Sequence, residues 1–409
     1  MLAVLSNLTY RRLFTAQVVA LTGTGLATVA LGLLAYDVAG ADAAAVLGTA
    51  LAIKMIAYVA IGPLAGALAA ILPRKALLVS LDLARAGIAL CLPWVDQVWQ
   101  VYLLIFLLQA SSAMFTPTFQ ATIPDILTDE RDYTRALSLS RLAYDLESLL
   151  SPLFAAAALA VITYDTLFAG TAVGFAASAL LVVSAVLPAT RARPANRGLR
   201  ATTHGLRIYL ATPRLRGLFA VHFAVAAAGS MVLVNTVVYV RDVLGRDETS
   251  VAIALAANGL GSLVAAFTLP RLLDRYRDRT VMLRAGVVLA AALLVGVAAT
   301  ILLGAARWPV LLMLWAVIGV GSSLILTPGG RLLRRSADPA DLPALFAADF
   351  SLSHACWLIC YPLAGWLATQ AGMATALAVL GALTIGATAV AARLWPARPH
   401  VPAPALPVA

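Results

Sequence analysis

Runs of about twenty apolar residues, separated by short polar stretches rich in arginine, make up most of the chain. At about 1.5 Å per residue, such a run crosses the ~30 Å hydrocarbon core of a bilayer as an α-helix. Twelve runs are predicted as helices: Leu13–Tyr36, Val46–Leu72, Ala76–Trp94, Val101–Ile123, Leu137–Ile162, Leu167–Leu187, Leu218–Tyr239, Val251–Leu273, Val281–Leu303, Pro309–Leu326, Leu342–Leu367 and Thr375–Leu394. The turns between them are too short to cross a membrane, so successive helices alternate in direction. Arg11, Arg12, Arg74, Lys75, Arg131, Arg135, Arg275, Arg277, Arg279, Arg331, Arg334, Arg335, Arg393 and Arg398 then fall on one side, against Arg241, Arg246 and Arg307 on the other. The excess of basic loops predicts that both termini are cytoplasmic, in a multi-pass protein of the inner or plasma membrane.

Composition agrees. The chain is 62% hydrophobic and 12% charged, where a soluble domain is about 25% charged. The net charge of +10 does not point to nucleic acid, because the arginines are spread over loops as membrane topology demands. Cys91, Cys356 and Cys360 all lie in apolar runs, an odd and sparse set that predicts free thiols. The first dozen residues are too weakly apolar for a cleaved signal.

One charge breaks the second run. Lys54 sits roughly eight residues, or ~12 Å, into it. A lysine at that depth costs at least ~2.5 kcal/mol, so it is expected to face a bundle interior or a water-filled cavity. Small residues later in the run, Gly62 and Gly66 among them, let another helix approach closely. Residues 189–216 carry seven arginines, from Arg191 to Arg216, and no acid. They form a basic linker between residues 1–188 and 217–396, and residues 397–409 form a Pro-rich tail expected to be disordered. Within the linker, GLRIYLATPRLRG is a candidate interfacial helix with Leu206, Ile208 and Leu210 partly in the lipid.

The two halves repeat. YDVAG at Tyr36–Gly40 matches RDVLG at Arg241–Gly245, and Gln17 then aligns with His222. SSAMFTP at Ser111–Pro117 matches SSLILTP at Ser322–Pro328, Pro152 matches Pro362, and Lys54 falls opposite Asn258. The separation is nearly constant along the chain. The predicted fold is all-α, with twelve transmembrane helices in two pseudo-symmetric six-helix bundles, the arrangement of a rocker-switch transporter.

The loop after the second run carries a family resemblance. Gly66-Ala67-Leu68-Ala69-Ala70-Ile71-Leu72-Pro73-Arg74-Lys75 resembles the Gly-x-Leu-Ala-Asp-Arg-x-Gly-Arg-Lys signature of the major facilitator superfamily. The first glycine, the leucine, the alanine and the basic pair match. Ala70, Ile71 and Pro73 replace the Asp, the Arg and the second Gly. The resemblance implies that the Asp and Arg would latch the two halves on the cytoplasmic side, with Asp274-Arg275 as the second-half counterpart. Their loss implies either a resting state biased toward inward-open or a substitution at those positions. A mainly outward-open resting state in spin-label distances would contradict the first. Ile123-Pro124-Asp125 and Arg135-Ala136-Leu137 resemble the drug and siderophore exporter branch, which implies efflux driven by inward proton movement.

The resemblance also implies that helices one, two, four and five and their repeats line a central cavity. Lys54, Asp145, Glu147, Gln109, Asn258 and Asn235 are the candidates for substrate or proton coupling. Asp145 and Glu147 are two apart, about 200° around a helix, so they do not share a face. Asp145 can pair with Arg141 at i,i+4 or serve as the partner of Lys54, and Glu147 is the freer carboxylate. Asp82 and Arg85 are expected as a structural pair on the third helix. Helix–helix hydrogen bonds are the alternative role of the amides. His354, Cys356 and Cys360 do not converge as metal ligands. No phosphate-binding loop, nucleophile elbow or His-Glu-x-x-His is present, so neither an enzyme, a cofactor nor ATP drive is implied. The expected function is proton-coupled efflux of a small organic molecule by alternating access, by a monomer. An importer, symporter or facilitator of the same fold, and a non-transporting membrane receptor, remain as alternatives.

Overall fold

The computed structural model describes residues 2–71, 73–127, 129–187, 198–304, 306–337 and 341–395. It is helical, with no strand among the described residues. The α-helices are α1 (Leu8–Ala39), α2 (Ala43–Ile71), α3 (Arg74–Cys91), α4 (Val98–Ile126), α5 (Glu130–Leu159), α6 (Tyr164–Ser184), α7 (Gly198–Ala211), α8 (Pro213–Val238), α9 (Glu248–Arg275), α10 (Asp278–Leu302), α11 (Arg307–Arg334), α12 (Leu342–Ala371) and α13 (Met373–Leu394). Nine helical stretches among the described residues are long and apolar enough to cross a membrane. The first of these, Leu8–Ile61, contains α1 and most of α2.

Local chemistry sets the helix ends. The Asn7 side chain accepts from the Tyr10 amide at the start of α1, and Asp247 accepts from the Ser250 amide at the start of α9. α1 stops at Gly40, with φ of +51°, and the α8 segment stops at Gly245, with φ of +61°. Only glycine takes this backbone cheaply. The matching YDVAG and RDVLG words therefore end in matching turns.

Packing follows the same repeat. In the first set, α1 packs on α2, α5 and α6, α2 on α4, and α3 on α4 and α6. Each contact has a counterpart seven helices later: α8 on α9, α12 and α13, α9 on α11, and α10 on α11 and α13. The two sets meet through α2 against α12 and α5 against α9, which exchange under the same mapping.

The ends next to the arginine-rich loops are tied inside each set. Arg74 pairs with Asp125, joining α3 to α4, while Asp278 takes Arg331 and Arg335, joining α10 to α11. Lys75 donates to the Ala185 carbonyl just past α6 at 3.0 Å. Arg279 donates to the Trp395 and Ala392 carbonyls at the end of α13 at 2.8 and 2.9 Å. Cations there meet the negative end of the helix dipole.

Contacts between the sets gather at the opposite end. A side chain on Gly48 would strike the Tyr361 carbonyl of α12, and one on Gly365 would strike the Ala44 carbonyl of α2. The Tyr36 hydroxyl donates to Asp242 and Arg241 lies over the Tyr36 ring. Thr249 of α9 donates to the Leu159 carbonyl of α5 at 3.3 Å.

The linker forms a helix, α7, but packs differently from the interfacial expectation. It lies on α12 and α8. Tyr209 is fully buried, Leu206 and Ile208 pack against the protein core, and Leu210 is exposed. The reason is polar: the Tyr209 hydroxyl donates to Asp349 of α12 at 2.9 Å, and His204 meets Asp341 at 3.0 Å.

Candidate functional site

Lys54 is half-buried on α2 and lines a cleft formed within the first set by α1, α2, α4 and the adjoining segments. The space around the lining residues, open solvent included, is about 530 Å³. Its polar wall is Thr24 and Thr28 of α1, Lys54 of α2, and Gln109 and Ser112 of α4. The rest is apolar, with Leu31, Leu51 and Ile105 among the lining residues and Phe175 of α6 at the edge. The helix period produces this grouping: Thr24 and Thr28 are four apart and share a face, as do Gln109 and Ser112, three apart.

Lys54 and Glu147 are close enough for their charges to interact, yet no carboxylate among the described residues comes within 4.0 Å of the ammonium. Glu147 on α5 is held elsewhere. Its Oε1 accepts from Ser151 at 3.3 Å and lies against α1 at Gly25, where an added Cβ would stand 2.9 Å from it. Tyr58, one turn beyond Lys54, shares the electrostatic neighbourhood of Glu147, Tyr144 and Arg85. It also reaches the second set: its ring stands 5.9 Å from that of His354 and 6.5 Å from that of Phe350.

Behind this cluster, Asp82 and Arg85 form an ion pair. Asp82 also accepts from Ser178 of α6 at 2.7 Å. The Arg85 guanidinium lies 4.2 Å from the Phe115 ring centre and 4.5 Å from that of Phe175. Asp82 is 0% and Arg85 4% exposed, so this pair is a structural element of α3, α4 and α6.

The second set carries its own polar cluster. Asp349 receives the Tyr209 hydroxyl and stands 3.6 Å from Nδ1 of the buried His222. Burial and the adjacent Asp349 carboxylate raise the Tyr209 phenol well above its ordinary range. Sequence reasoning passed over Asp349 and Tyr58. Asp349 had a signal, a lone carboxylate a few turns into an apolar run. Tyr58 had none, because a tyrosine in such a run reads as core.

Two predicted candidates make the helix–helix hydrogen bonds that were their alternative role. Asn235 is 0% exposed and donates to the Ala364 carbonyl of α12 at 3.1 Å. Asn258 donates to the Trp315 carbonyl of α11 at 3.0 Å. Neither lines the cleft around Lys54. Each amide ties its helix to a backbone carbonyl of a neighbouring helix. Gln17 likewise accepts from Ser140 at 3.0 Å, joining α1 to α5. Arg74 and Lys75 serve the ties inside the first set described above, while Asp274 and Arg275 are exposed at the end of α9. The side chains of Asp145 and Arg141, and the packing of Gly62 and Gly66, lie outside the described residues. Among the described residues no group of His, Cys, Asp or Glu is arranged to hold a metal ion, and the three cysteines are free thiols.

Comparison with known proteins places this architecture. Several solved membrane transporters share the fold at low identity. A bacterial homologue of the human lysosomal transporter Spinster, in an inward-facing and unoccupied conformation, matches with a TM-score of 0.73 and 12% identity, over 95% of this chain and 97% of that one. A point mutant of the nucleoside transporter NupG matches with a TM-score of 0.76 and 14% identity, over 95% and 100%. A D-xylose–proton symporter matches with a TM-score of 0.73 and 13% identity, over 95% and 98%. No curated protein sequence matches the chain significantly. The model of the Major Facilitator Superfamily matches residues 13–295 and again residues 218–409. Two overlapping matches across an internally repeated, multi-pass helical chain leave one conclusion: this protein belongs to the Major Facilitator Superfamily.

Proposed function

We propose that the protein is a secondary transporter that moves a small organic molecule across the membrane by alternating access, in the direction of efflux and driven by protons. The observation that carries this reading is Lys54, a cation roughly 12 Å into an apolar helix, lining a cleft and facing no carboxylate within pairing distance among the described residues. A charge held at that depth without a fixed partner has a cost that transport would justify. In this reading the chain crosses the membrane twelve times with both termini in the cytoplasm, residues 1–188 and 217–396 form the two rocking halves, and a single chain suffices. Among the described residues, the close crossing of α2 with α12 and the Tyr36–Asp242 and Thr249–Leu159 bonds lie at the end away from the arginine-rich loops, which supports a cavity open toward the cytoplasm. Glu147 would load and release the coupling proton and exchange its influence on Lys54 as it does so. Efflux and the exporter branch rest on the helix-four to helix-five words alone.

The test is a pH jump on proteoliposomes with a trapped fluorescent proton reporter and a panel of small molecules, comparing wild type, Lys54→Ala and Glu147→Gln. Solute-dependent proton flux lost in both variants is expected, with solute moving against the proton. Solute flux unaccompanied by protons and unchanged in Glu147→Gln would make the protein a facilitator. Co-directional movement would make it a symporter. Absence of any flux across the panel would favour a non-transporting membrane protein.

A further inference from the structure

We propose that the cleft around Lys54 takes an organic monocarboxylate with an apolar body and a hydrogen-bond donor close to its carboxylate; this deepens the transporter reading and rests on it. The argument is an inventory of what each polar group still has to offer. Thr24 and Thr28 donate to the Ala20 and Thr24 carbonyls in their own helix, each at 3.0 Å, and Ser112 donates to the Leu108 carbonyl at 3.0 Å. Their hydroxyl protons are spent, so they present lone pairs to the cleft.

Gln109 is the reverse case. It is 8% exposed and makes no hydrogen bond among the described residues, so its amide protons and carbonyl remain available. The amide opens on the cleft, where a ligand or water can serve it. Lys54 adds three donors and a full charge, with Glu147 occupied by Ser151 and seated against Gly25.

The cleft therefore offers a charged donor group, Lys54 with Gln109, and an acceptor group, the three hydroxyls. The third component of the lining is apolar and includes Leu51 and Ile105. A carboxylate satisfies the first group, an adjacent hydroxyl or amide N–H the second, and an apolar body the third. An organic cation would meet Lys54 with a like charge. A neutral alcohol would leave the ammonium unpaired.

Binding to the full-length protein in detergent tests this without requiring transport. The probes are matched triads of carboxylate, alcohol and amine on phenylpropyl, cyclohexylpropyl and indolylpropyl bodies, with 3-phenyllactate added to 3-phenylpropionate. Carboxylates are expected to bind at least 10-fold more tightly than their alcohol and amine partners, and 3-phenyllactate more tightly than 3-phenylpropionate. Lys54→Gln should erase the preference, Lys54→Arg should keep it, and Gln109→Leu should weaken carboxylates most. Equal or tighter binding of amines or alcohols, no binding by any probe, or a preference that survives Lys54→Gln would overturn the assignment. The same probes in liposomes separate the two claims. A carboxylate that binds through Lys54 but is never moved defeats the transport reading and leaves this one standing. An amine moved independently of Lys54 does the opposite.

Discussion

Arg85 lies over two aromatic rings and pairs with Asp82, which also holds Ser178. Removing one member of such a pair strands the other charge in an apolar interior. Asp82→Asn is therefore expected to cost about 3–5 kcal/mol, whereas the double variant Asp82→Leu/Arg85→Met should be close to neutral. Thermal unfolding of the purified variants checks this, and a double variant no more stable than the single would refute it. The same residues show how far side-chain chemistry can be read from a sequence. Lys54, Glu147 and the Asp82–Arg85 pair announce themselves as charges in apolar runs. Asn235 and Asn258 do not disclose their role, because an amide on a helix serves a cleft or a neighbouring carbonyl equally well. Only the approach of α12 and α11 decides it.

Helices were legible almost throughout, since long apolar runs closed by Asn, Asp and Gly leave few alternatives. Their partners were not, because close crossings depend on where two glycines land in space. Gly48 and Gly365 mark the crossing of α2 with α12, which joins the two sets. Gly261 and Gly319 mark the crossing of α9 with α11 inside one set, where side chains would strike the Ala316 and Asn258 carbonyls. Overpacking costs about 1–3 kcal/mol. Under the proposed rocking of the halves, at α2/α12 that penalty falls on one conformation and should shift the balance roughly 5- to 150-fold toward the other. At α9/α11 it falls on both. Gly365→Val should thus separate the α2 and α12 ends, seen as a longer spin-label distance across them. Gly319→Val should lower the unfolding temperature with that distance unchanged. The reverse pattern would refute this division of labour.

Across the molecule, the repeat was visible as recurring words in the chain, and the packing of α1–α6 recurs in α8–α13. What the words concealed is that the ties near the arginine-rich loops are reversed in polarity. The first set puts the cation on α3 and the anion on α4, and the second puts the anion on α10 and the cation on α11. Matching by residue identity cannot see such an exchange, although the geometry is served by either order. Swapping the first tie, as Arg74→Asp with Asp125→Arg, should restore most of the roughly 1.5–3 kcal/mol lost by either single change. Melting temperatures of the three variants measure it, and a double variant as unstable as the sum of the singles would count against the equivalence.

The docking of α7 has a mechanical consequence. Because Tyr209 fastens that helix to α12 and His204 fastens it to Asp341 just before α12, the covalent stretch left to join Leu187 to the docked helix is the ten residues 188–197. Fully extended, a chain of that length reaches about 36 Å. Undocked, the leash would run to Thr212 and allow more than twice as much. The linker thus sets a limit of travel, and its length is a dimension of the machine in the same sense as the length of its helices.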